Sequence, residues 1–261
     1  MTLFFHELKR GRLMLAIWAG AVAFMLGICI VIYPEMAKEM ADISNMFADM
    51  GAFSAAFGMD ELNFGEFMGY FSIECGNTLG LGGALFAALL GIGALAKEER
   101  ERTAEFLLTH PISRRYIVTQ KWLSVLAQLL IFNAVVVLVT VVAIAGVGVE
   151  AQAGGMALLF LANLLLQIEL AAITFGVSSF LRRGGLGVGL GLAFALYFFN
   201  ILANLSDQTE FLKFATPFAY TDGAYIVREN ALDLKYLAVG LTVTAIGIFL
   251  SYWQYTRKDI A

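Results

Sequence analysis

The chain has 261 residues, 60% of them apolar and only 15% charged, with 17 basic side chains against 21 acidic ones and a mean hydropathy of +0.78. A soluble globular domain carries about 25% charged residues, so this composition excludes a water-solvated fold. It points to an all-α polytopic membrane protein forming one transmembrane domain over residues 1–261, with lipid around it and no nucleic-acid partner.

At the N-terminus, Leu3, Phe4, Phe5 and Leu8 alternate with His6, Glu7, Lys9 and Arg10, which predicts a short amphipathic helix on the inner leaflet. Six stretches then meet the requirement of about 20 apolar residues for a membrane span. They are Leu13 to Tyr33, Gly69 to Ala96, Trp122 to Val149, Gly155 to Leu181, Leu186 to Leu205 and Tyr236 to Tyr255. The first exceeds the roughly 7 to 15 apolar residues of a secretory signal, so it is expected to remain as an uncleaved helix. After it, Met36, Met40, Ile43, Phe47 and Met50 share one helical face, predicting an interfacial helix against the outer surface. Thioethers suit Cu(I), but methionine is also a flexible filler, and packing is the expected role here. Cys29 and Cys75 lie inside spans without a metal or redox spacing and read as packing residues.

Between the second and third spans, residues 97–121 concentrate charge. Glu98 and Arg102 are spaced i,i+4 and Arg102 and Glu105 i,i+3, so the loop starts as a helix extending the second span. Pro111 ends it and Ser113 is placed to cap a new helix leading into the third span. A plain solvated hairpin is the alternative. Gly76 with Gly80, and Gly187 with Gly191, have the spacing of close helix contacts in lipid.

Thirteen of the basic residues fall on one side of these spans, in the N-terminus, residues 97–121, Arg182 with Arg183, and Arg257 with Lys258. The other four, Lys38, Lys213, Arg228 and Lys235, sit among 13 acidic residues. Loops rich in Lys and Arg stay cytoplasmic, so both termini are expected inside a plasma membrane.

The two histidines, His6 and His110, lie outside every span, which excludes an intramembrane Ser-His protease or histidine metal site. No Gly-Lys pair occurs, so the chain has no P-loop to cradle ATP, and no bound cofactor or intrinsic ATPase activity is expected. Carboxylates in spans are costly and face a bundle interior or an aqueous path. Glu169, near the middle of the fourth span, and Glu74, near the outer end of the second, are therefore candidates for the translocation path. Asn133, Asn163, Gln167, Asn200 and Asn204 join them, with polar glue between helices as the alternative role.

The run Glu98-Glu99, Arg102-Thr103, Glu105, Leu107-Leu108, Pro111, Ser113-Arg114 and Lys121 resembles the E-E-x-x-G-T-x-E-x-L-L-x-x-P-x-S-R...K pattern of bacterial type-2 ATP-binding-cassette exporter permeases. It covers about a tenth of the chain, with Arg102 where the family usually has Gly. The resemblance implies a permease that pairs with a second permease subunit and couples to cytoplasmic ATPase subunits, which carry the ATP and Mg. Glu98, Glu99, Arg102, Thr103, Glu105, Phe106, Leu107, Leu108, Pro111, Ser113 and Arg114 would form the coupling region. Residues 206–235, with Phe211, Phe214, Pro217, Phe218, Tyr220 and Tyr225, resemble the family's external helical hairpin, an outer gate or lid; an interfacial aromatic anchor is the other reading. Two alternatives remain at this level: an ion-coupled secondary transporter using Glu74 or Glu169, and a membrane scaffold. Nothing in the residues selects a substrate.

Overall fold

A computed structural model describes residues 2–49, 62, 65–100, 112–181 and 185–258; for residues 2, 38–49, 97–100 and 207 it describes the backbone alone. The helices are α1 (Thr2–Asp49), α2 (Phe67–Glu74), a π-helical segment (Cys75–Leu81), α3 (Gly82–Arg100), α4 (Arg114–Val147), α5 (Ala153–Ser178) and α6 (Leu186–Leu205). Two 3-10 helices (Asp207–Ala215 and Pro217–Thr221), α7 (Gly223–Glu229) and α8 (Leu234–Arg257) complete the chain. Among the described residues there is no strand. Six stretches are long and apolar enough to cross a membrane: Leu3–Ala37, Phe67–Ala96, Arg114–Val147, Ala153–Ser178, Leu186–Leu205 and Leu234–Arg257. The protein is an all-α, multi-pass membrane protein, with spans where hydropathy predicts them.

The first span corrects one expectation. The amphipathic N-terminus, the span and the methionine-bearing stretch after it are parts of one 48-residue helix, with Pro34 inside it, rather than a span flanked by two separate interfacial helices. An internal proline costs about 3 kcal/mol, but the residues after Pro34 are mostly Glu, Met, Ala and Lys, strong helix formers that carry the helix onward. At ~1.5 Å per residue α1 is about 72 Å long, more than twice the hydrocarbon thickness. Met50 lies outside the described residues.

Close packing relies on glycines at helix crossings, as expected where lipid offers no hydrophobic drive between helices. On α3, a Cβ at Gly83 would collide with Gln167 of α5, and one at Gly91 with Thr174 and the Ala171 carbonyl. On α8, a Cβ at Gly247 would lie 2.6 Å from the Ala172 carbonyl oxygen of α5, and Gly176 of α5 faces Gly247 in turn. Helix α6 seats Gly185 and Gly189 against Ile92 of α3, while Gly187 and Gly191 have open space. The glycine contact predicted for α6 is therefore made by the other pair. Gly76 is likewise open, whereas Gly80 abuts Asn163. Helices α1, α3 and α4 join through aromatic rings, Phe86 lying 4.9 Å from Phe132 and 6.2 Å from Trp18, centroid to centroid.

One end of the bundle carries both chain termini. There the Nζ of Lys121, which is 1% exposed, donates to Glu7 Oε1 at 3.0 Å and to the Ala94 carbonyl at 2.7 Å, tying the starts of α1 and α4 to α3. Lys258 Nζ donates to the Leu181 carbonyl at 2.8 Å, tying the end of α8 to the end of α5.

Candidate functional site

At the opposite end, the chain between α6 and α8 folds inward. Each short helix of this segment begins with a side chain that accepts a backbone N–H: Ser206 from Gln208, Thr216 from Phe218 and Asp222 from Ala224, while Asp233 does the same for α8. At Phe218 and Ala224 the cap satisfies a backbone donor that burial would otherwise orphan. Thr216 Oγ1 donates to the Leu196 carbonyl at 2.7 Å. Leu196 lies about 14 Å along α6 from its nearer end. Phe218 packs edge-on against Tyr197, and Gly223 sits so close to Ser72 that a Cβ would lie 2.9 Å from it. Residues 216–224 are thus folded inward and wedged between α2, α5, α6 and α8, with Phe218 and Tyr220 buried, whereas Phe211 and Phe214, further back in the same segment, are exposed.

The deepest contact of this wedge is to Glu169. The Tyr220 hydroxyl donates to Glu169 Oε2 at 2.9 Å, and both residues are buried, Glu169 at 4% exposure. Gly240 of α8 makes room for the pair, because a Cβ there would collide with the carboxylate. Along α5, Glu169 lies about 24 Å from the Ala153 end and about 14 Å from the Ser178 end, well inside the helix.

The other candidate path residues divide into three places. Asn133 Nδ2 donates to Gln167 Oε1 at 2.6 Å, linking α4 to α5, and Asn163 Nδ2 donates to the Leu159 carbonyl and, at 3.7 Å, to Cys75 Sγ in the π-helical segment. All three amides are buried, and they join helices rather than line an opening. Asn200 and Asn204 line a cavity of about 70 Å³ beside the inward-folded segment, with Ser72, Asn77 and Asp222. That volume is room for about two waters. Glu74 accepts from Cys29 Sγ at 3.4 Å, so its partner is α1, away from the Tyr220 contact.

Of the residues expected to couple to an ATPase, Glu98 and Glu99 lie in the last turn of α3, which continues the second span to Arg100. Arg102, Thr103, Glu105, Phe106, Leu107, Leu108 and Pro111 lie outside the described residues. Ser113 caps α4, accepting from the Tyr116 N–H at 3.2 Å. The guanidinium of Arg114 turns to the end of α8, donating to the carbonyls of Lys258, Tyr255 and Thr256. A cation there satisfies carbonyls left open at a helix C-terminus.

Sequence reasoning missed Tyr220 as a partner for Glu169, and it missed Asn77, Asp222, Gly240 and the Lys121–Glu7 pair. Asn77 had a local signal, a Gly-Asn-Thr interruption within an apolar run. Lys121 had a weaker one, a charge only one residue before the expected third span.

Six spans, a polar interior and an inward-folded segment at one end make a multi-pass membrane protein. The chain belongs to the ABC-2 family: the model described as ABC-2 family transporter protein matches residues 1–260. No curated protein matches the chain. The family and the six spans identify it as an ABC permease, a membrane subunit.

Proposed function

We propose that this chain is the permease subunit of an ATP-driven exporter of the plasma membrane, with both termini cytoplasmic. It pairs with a second permease subunit, and each docks a cytoplasmic ATPase, which holds the ATP and Mg, through residues 97–121. The reading rests above all on the inward-folded wedge whose Tyr220 is bonded to Glu169 of α5. In this mechanism, closure of the ATPase pair pushes the 97–121 bracket. Helices α3 and α4 carry the displacement to α5 through the Gly83 and Asn133 contacts with Gln167. The wedge then parts from Glu169 and opens the outer side, with Asn77, Asn200 and Asn204 lining the exit. The inside assignment is supported by the thirteen basic residues on segments that leave from the termini end.

The test is co-purification with an ATPase, in the parent and in the combined Glu98→Lys, Glu99→Lys, Glu105→Lys variant. The variant is expected to lose association and export together; unchanged assembly with unchanged export removes the loop from the mechanism. In a Cys29→Ala, Cys75→Ala background, cysteines at the exposed Ala153 and Asn230 should react with an impermeant reagent outside cells, and one at the exposed Arg115 should not.

A further inference from the structure

The second span changes its winding once. Between α2 and α3 the backbone widens into the π-helical segment, Cys75–Leu81, and it enters and leaves that segment in right-handed helical geometry, Glu74 at φ −64°, ψ −37° and Gly82 at φ −61°, ψ −44°. The span is rewound there without being broken. π-helical turns are rare, and they recur at functional sites and at helix bends. The residues here are weak helix formers, with Gly76, Asn77, Thr78 and Gly80 in the one segment. Gly80 has a packing reason, since a Cβ there would lie 3.2 Å from Asn163 Oδ1. Gly76 has none: a Cβ there meets nothing within 4 Å, so what this glycine supplies is backbone compliance rather than room.

The two faces of the segment differ. Cys75 and Gly80 rest on Asn163 of α5, and Cys75 and Asn163 are fully buried. Gly76 and Asn77 are half-buried and line the cavity of about 70 Å³ beside the wedge. The two ends differ as well. Helix α3 is locked in place: Gly83 closes on Gln167, Gly91 on Thr174 and the Ala171 carbonyl, and the Ala94 carbonyl accepts from Lys121. Helix α2 holds other partners. Ser72 abuts Gly223 of the wedge, the Tyr70 hydroxyl donates to the Cys29 carbonyl of α1 at 3.1 Å, and the contact of Phe71 with Phe160 of α5, edge-on at 6.1 Å, has no hydrogen bond to break.

We propose that the π-helical segment is the hinge of the second span. Helix α2 swings together with the wedge, with Asn163 as the fulcrum, while α3 stays seated on α5; the swing opens and closes the cavity at Gly76 and Asn77. This rests on the reading that the wedge parts from Glu169, and it accounts for how a wedge gripped by α2 leaves without pulling α3 off α5.

The test is hydrogen exchange of the full chain in nanodiscs, read by mass spectrometry for the parent, Gly76→Ala and Gly20→Ala. In the parent, amides of residues 76–81 should exchange faster than those of 84–92, which belong to the seated helix. Gly76→Ala fits without a clash and should slow exchange at 76–81 about fivefold, the scale of the Gly-to-Ala difference in helix propensity. Because the wedge follows the hinge, the same variant should slow residues 216–229 by a similar factor. Gly20→Ala, on α1 and also in open space, should change neither segment. Protection of 76–81 equal to that of 84–92 in the parent overturns the hinge, and so does a Gly76→Ala protein that tightens 76–81 while 216–229 exchange as before. No ATPase or substrate enters these measurements, so the hinge fails or stands separately from the exporter reading, which the co-purification tests.

Discussion

At the termini end, helix ends are tied to one another by charged side chains: Lys121 holds Glu7 and the Ala94 carbonyl, Arg114 holds the end of α8, and Lys258 holds the Leu181 carbonyl. At the opposite end, closure is made by short capped helices, the deepest link being one hydroxyl donated to one carboxylate. Several such charge-assisted bonds act together at the first end, against this single link at the second. The long helices are therefore gathered where an ATPase would push, and the wedge is the part that can leave without breaking a helix. In this account, motion enters through a stiff end and is released at a divisible one.

The largest expected effect breaks the stiff end. Lys121→Met leaves Glu7 without its partner and should cost about 3 kcal/mol, as for other broken buried pairs. The measurement is thermal unfolding in detergent, and a melting temperature equal to the parent's means that charge does not hold this end. A smaller effect tests the stem between the two ends. Gly247→Val drives a side chain into the Ala172 carbonyl and should cost about 2 kcal/mol by overpacking. Gly187→Ala, with open space around it, should stay within about 0.5 kcal/mol of the parent. Equal losses in the two would mean that the α5–α8 crossing has no special closeness.

The smallest effect belongs to the divisible end. Glu169→Gln keeps an acceptor for the Tyr220 hydroxyl, whereas Glu169→Leu strands it. The Leu variant should be about 1 kcal/mol less stable than the Gln variant, the scale of hydrogen bonds between membrane helices. Export per assembled complex adds a second readout: it should persist in the Gln variant if the latch needs only an acceptor. Loss of export there, with normal melting, would assign the work to the charge of Glu169.

The spans were legible because length and hydropathy are local properties; Leu186 to Leu205 is bounded at both ends by hydropathy alone. Ser113 was legible for the same reason, since a cap needs only its own first turn. Continuity of α1 through Pro34 was not, because a proline signals a boundary and only the helix formers around it decide whether the boundary wins. On α6, glycines alternate at 185, 187, 189 and 191, so two faces have equal claim, and Ile92 of α3 settles which one seats. The partner of Glu169 is 51 residues away on a segment whose aromatics suit an interface as well as an interior. Arg114 carried the same ambiguity. Its motif position pointed to an ATPase, while its reach is to the far end of the chain.

Hydrogen exchange of the permease assembled with its ATPase, followed with and without ATP, tests most directly whether motion enters at one end and is released at the other. On ATP binding, amides of residues 216–229 should exchange faster as the wedge parts from Glu169, while those of 114–121 and 250–258 stay protected. Faster exchange at the termini end, with residues 216–229 unchanged, would contradict the account.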